Sequence, residues 1–86
     1  TLMLNNLGLT ADRQGDLPAA RRLYEEALRV LRKVYGAQNY NTALTLNNLG
    51  LIILQQGDVA AARRHFEEAL AIFREAYQAP HSNTAM

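Results

Sequence analysis

Cysteine is absent from this 86-residue chain. Disulfides, thiolate nucleophiles and every zinc site built on cysteine are therefore excluded. Tryptophan is absent too, and aromatic residues make up only 7%. Alanine and leucine dominate the apolar set, a mix that favours helices over sheets. Neither charge sign prevails. Nine Lys and Arg face eight Asp and Glu, a net charge of +1, which excludes a strongly basic nucleic-acid binder and an acidic tail. The apolar run Leu49 to Leu54 falls far short of the roughly 20 residues a membrane span needs, so no membrane association is expected. No secretory leader pattern is visible, but a chain that begins at Thr1 leaves open what precedes it. What is present, 49% apolar and 20% charged residues, suits one folded domain.

The chain repeats itself. Asn5-Asn6-Leu7-Gly8-Leu9 returns as Asn47-Asn48-Leu49-Gly50-Leu51, and Gln14-Gly15-Asp16 as Gln56-Gly57-Asp58. Arg21-Arg22 returns as Arg63-Arg64, Glu25-Glu26-Ala27-Leu28 as Glu67-Glu68-Ala69-Leu70, and Tyr35 as Tyr77. Every pair is offset by 42 positions, as from Asn5 to Asn47, and no gap is needed. Asn41-Thr42-Ala43 returns as Asn83-Thr84-Ala85, so residues 83–86 read as the start of a truncated third unit.

Each unit reads as two helices. Leu4, Leu7, Gly8 and Ala11 recur at helical spacing and are expected to face the partner helix. Gly15 is a helix stop, Asp16 an N-cap, and Pro18 sits in the first turn that follows, where a missing N–H costs nothing. Leu17, Ala20, Tyr24, Ala27, Leu28, Leu31 and Tyr35 continue the apolar stripe to Gly36. Asn41 is the expected N-cap of the third helix. The first unit thus spans 1–42, with helices over about 2–14 and 17–35. The second spans 43–82, with helices over about 42–56 and 59–77 and a loop at Gln78 to Ser82.

This pattern resembles the tetratricopeptide repeat. The residues that carry the resemblance are Leu4, Leu7-Gly8, Ala11, Ala20, Tyr24 and Ala27, then Leu46, Leu49-Gly50, Ile53, Ala62, Phe66 and Ala69. Leu4 and Leu46 stand where the usual signature has Trp, Ala11 and Ile53 replace Tyr, and the unit is 42 residues where 34 is usual. The longer unit and its Leu-Asn-Asn-Leu look like the kinesin light chain type. The fold the resemblance implies is all-α, a fragment of a right-handed α-solenoid made of two helix-turn-helix repeats. Gly8, Ala20 and Ala27 would let the paired helices approach closely, with Tyr24 beside them.

A stack of such hairpins curves, with the first helix of each unit lining the concave side. The 100° step leaves Leu2, Asn5, Asn6, Leu9, Asp12 and Arg13 in that arc, and Leu44, Asn47, Asn48, Leu51, Leu54 and Gln55 in the second unit; the ten other than Leu2 and Leu44 are the candidate site residues. Asparagine is a poor helix-interior residue, so four at matched places need a reason. In one reading their amides bond the backbone of an extended peptide, with Leu9 and Leu51 as apolar floor. In the other they tie neighbouring helices together. Some tetratricopeptide domains clamp a terminal carboxylate, but Arg13 is the one cation of this arc and Asp12 adjoins it, which argues against a clamp here.

The remaining features are structural. Arg21–Glu25, Arg22–Glu26, Arg63–Glu67 and Arg64–Glu68 are i,i+4 pairs on a solvated face. His65 and His81 have neither Cys nor a paired His nearby, and Tyr24, Phe66, Tyr35 and Tyr77 fall at core spacing. No catalytic residue, metal site or cofactor is expected. The function that follows is a cytoplasmic protein–protein interaction scaffold, its partner an extended peptide or helix of another protein. The alternative is self-assembly, head to tail or by helix exchange. Met3 and Thr10 would stand at one end of the stack and part of the set Ile72, Phe73 and Ala76 at the other.

Overall fold

The computed structural model describes residues 2–84, with side chains over 3–76. Four helices follow one another: α1 (Leu2–Arg13), α2 (Leu17–Tyr35), α3 (Tyr40–Gln55) and α4 (Val59–Thr84). Each packs on the next.

Both turns within a repeat are built alike. Gly15 N–H donates to the Asp12 carbonyl and Asp16 N–H to that of Ala11, each at 2.9 Å. This doubly bonded helix stop needs a left-handed residue, and Gly15 supplies it at φ +81°. Asp16 then accepts from Ala19 N–H at 3.2 Å, so the residue that closes α1 also caps α2. Gly57 and Asp58 repeat the device, with Asp58 accepting from Ala61 N–H at 3.1 Å.

Between the repeats the cap differs from expectation. Asn39, not Asn41, caps α3: its side chain accepts from Asn41 N–H at 2.8 Å. The helix begins at Tyr40, whose ring meets Phe73 edge-on at 5.3 Å and so fixes the first turn against α4. Thr42 donates to the Gly36 carbonyl at 3.3 Å, joining the start of α3 to the end of α2.

The expected end of the fourth helix at 77 and the loop at 78–82 are not observed, since α4 runs on to Thr84. Gly36, at φ +86°, ends α2, but the residue 42 positions later is Gln78, which lacks that conformational freedom. His81 likewise replaces the capping Asn39. The side chains of Tyr77, His81 and the rest of that segment lie outside the described residues, as do Ala85 and Met86.

The core lies mainly around α3, with Leu46, Leu49, Ile52 and Ile53 buried against Ala20, Tyr24, Leu28, Ala62, Ala69 and Ile72. At Gly8 and Gly50 an aromatic ring of the paired helix lies directly against the backbone. A Cβ added at Gly8 would lie 2.9 Å from the Tyr24 ring, and one at Gly50 2.7 Å from the Phe66 ring. Burial raises the pKa of the Tyr24 phenol, and the negative charge of Asp12 adds to the rise.

Three further expectations change. Leu7 does not face the partner helix as Leu49 does: Leu7 is 47% exposed and Leu49 1%. Tyr35, the last residue of α2, is exposed and not part of the core. Ile72 is core rather than end face, and Phe73 is half-buried against Tyr40, leaving only Ala76 of that set exposed.

Candidate protein-interaction face

α1 and α3 run side by side and are bridged at both ends. Thr45 donates to the Asn5 amide oxygen at 3.3 Å, and the Gln55 amide donates to Asp12 at 3.5 Å. On the other layer Arg32 of α2 reaches Glu68 of α4 at 2.7 Å. Arg21 also crosses between repeats, donating to the Gln56 side chain at 3.0 Å. Glu68 therefore pairs with Arg32 and not with Arg64. Arg21–Glu25 and Arg63–Glu67 form as expected at 3.3 Å, and among the described residues no ion pair joins Arg22 to Glu26.

These bridges divide the first helix of each repeat into three strips. Met3, Leu7 and Thr10 point away from the second repeat, and Met3 is 72% exposed. Their counterparts Thr45, Leu49 and Ile52 point towards the first repeat and are buried. Asn5 and Asp12 form the opposite strip, half-buried where they meet α3. Their counterparts Asn47 and Leu54 are exposed, with no described helix beyond them. The middle strip holds Asn6, Leu9 and Arg13 on α1, then Leu44, Asn48, Leu51 and Gln55 on α3. All are exposed except Asn48, which is half-buried; the Leu2 side chain lies outside the described residues.

The ten residues singled out in the sequence therefore fall into two groups. Asn5 and Asp12 bond the next repeat, and Asn47 and Leu54 hold the same register one repeat later. Asn6, Leu9, Arg13, Asn48, Leu51 and Gln55 share the surface between. The Thr45 donor to Asn5 had no signal in the sequence, because Met3 occupies the matched place in the first repeat.

A second surface was not anticipated. Val59, Ala62, Phe66 and Leu70 of α4, with Leu54 of α3, line an apolar groove of about 370 Å3, with Arg63 and Glu67 at its edge.

His65 is structural in its contacts: its Nδ1 lies 2.8 Å from the Ala61 carbonyl oxygen, one turn back. Among the described residues no three His, Asp or Glu gather as metal ligands would, and no helix is long and apolar enough to cross a membrane.

Compared with protein families, residues 1–85 match the tetratricopeptide repeat. No curated protein and no solved structure matches. Repeats of this family generally mediate protein–protein interaction, and the family is typically a non-catalytic scaffold. With the match running through both helical hairpins, the chain belongs to the tetratricopeptide repeat family.

Proposed function

We propose that the chain is a binding module that holds an extended peptide or a helix of another protein along the middle strip of α1 and α3. One observation carries this reading. Leu9 and Leu51, at the same register in the two repeats, are 42% and 47% exposed. Other matched positions, such as Leu7 and Leu49, differ in burial according to whether a repeat lies beside them. Leu9 and Leu51 do not, so stacking leaves them uncovered in each unit. Asn6 and Asn48 stand one turn away and can donate to and accept from a peptide backbone. Arg13 is the cation of the strip and Asp12 adjoins it, so affinity would rest on apolar contact and amide bonding more than on charge. The 42-residue unit and its Leu-Asn-Asn-Leu support placing the module with the kinesin light chain type of repeat.

The experiment is selection from a random peptide display library, followed by titration of the selected peptides. Leu51→Asp should abolish binding and Asn48→Ala should weaken it about five-fold, the equivalent of roughly 1 kcal/mol for a lost hydrogen bond. Helix content should be unchanged in both, since neither side chain is in the core. Peptides that bind Leu51→Asp as tightly as the parent chain would refute the assignment.

A further inference from the structure

We infer that α1 of a second copy of this chain docks in the groove on α4, joining copies head to tail. The inference rests on the two end faces, not on the middle strip proposed for partner segments.

The groove has an occupied counterpart inside the molecule. Val59, Ala62, Phe66 and Leu70 stand 42 positions after Leu17, Ala20, Tyr24 and Leu28. Tyr24 and Leu28 are buried where α3 packs on α2, whereas Ala20 and its counterpart Ala62 are buried alike within their own hairpins. No described helix covers the side of α4 that lines the groove, and Val59 and Leu70 stay exposed. What closes such a groove is thus the first helix of a repeat, entering through the strip that Thr45, Leu49 and Ile52 occupy on α3. The chain carries one such helix uncovered. Met3, Leu7 and Thr10 of α1 hold that register and are exposed.

Charge and polarity agree with the fit. The internal Arg32–Glu68 bridge would recur as Arg74 of one copy against Glu26 of the next, both exposed in the single chain. The Arg21–Gln56 bond would recur as Arg63 to Gln14. The bonds at Asn5 and Asp12 have no counterpart, since Met3 replaces the Thr45 donor and Leu54 replaces Asp12. Both replacements make the junction more apolar than the interface it copies. Such a contact uses different surfaces on the two copies and does not close on itself, so it propagates.

Sedimentation velocity tests this with two variants, each altering a half-exposed residue. Leu7→Asp disables the head and Leu70→Asp the tail, and circular dichroism confirms that each stays helical. The parent chain should grow beyond a dimer between about 10 µM and about 1 mM. Each variant alone should be monomeric, and an equimolar mixture should give a dimer and nothing larger, because one sound head then meets one sound tail. Arg74→Glu in the Leu7→Asp chain should weaken that dimer several-fold, and Glu26→Arg in the Leu70→Asp chain should restore it. A parent chain monomeric at the highest concentration, variants that fail to combine, or variants that still associate alone would each overturn the proposal. Failure of the charge reversal to restore binding would overturn the register.

Discussion

Gly8 and Gly50 occupy one position in two repeats, yet their neighbours differ in freedom. Replacing either by alanine gains about 1 kcal/mol of helix propensity and drives a methyl into a ring, an overpacking that costs about 1–3 kcal/mol. Phe66 is half-buried at the edge of the groove and has space to swing, whereas Tyr24 is closed in beneath α3. Gly8→Ala should therefore lower the melting temperature more than Gly50→Ala, although the added carbon at Gly50 starts closer to its ring. Equal shifts in thermal unfolding would contradict this. Tyr24 also makes a pH-dependent contribution. Its pKa in the fold lies above a tyrosine's ordinary value of about 10. The folded state then holds the proton longer than the unfolded chain, so the contribution is complete below pH 10 and is lost as pH rises through the folded value. Chemical denaturation of the parent and Tyr24→Phe from about pH 8 to pH 11 should show the difference between them shrinking at the alkaline end. A constant difference would mean that the phenol is not desolvated.

Helix ends decide where each element stops. Asp16 and Asp58 are spaced alike and bonded alike, so each is expected to contribute about 1 kcal/mol as an N-cap. Asp16→Ala and Asp58→Ala should be destabilised by similar amounts in urea, with unchanged m-values; a loss at only one site would mean that tertiary contacts carry the other helix start. These turns were legible because Gln-Gly-Asp occurs twice, and their bonding is local. The cap of α3 lies two residues before the one the sequence suggests, because Asn39 and Asn41 both suit a cap, and the ring contact of Tyr40 with Phe73 lies 33 positions along the chain. The end of α4 does not follow the repeat, because Asn83-Thr84-Ala85 matches Asn41-Thr42-Ala43 while the stop depends on a glycine that Gln78 replaces.

On the scale of the whole molecule, position in the stack decides burial. Leu49→Ala should cost about 2–5 kcal/mol as a core truncation, and Leu7→Ala, at the same register, less than about 1 kcal/mol. Comparable losses in thermal or denaturant unfolding at low concentration would show that α1 is covered in the single chain. The sequence by itself determined the four helices, the two-fold repeat, the tight turns and the small residues where helices cross, because each follows from periodicity, caps and spacing within a single unit. It also placed the candidate groove residues on α1 and α3. It could not sort Asn5 from Asn6 or Asn47 from Asn48, since adjacent positions differ by one 100° step and only the neighbouring helix says which strip is covered. It gave Leu7 and Leu49 the same role for the same reason. The tertiary structure alone separated them, because burial in a stack is a property of the contact between repeats and not of the repeat.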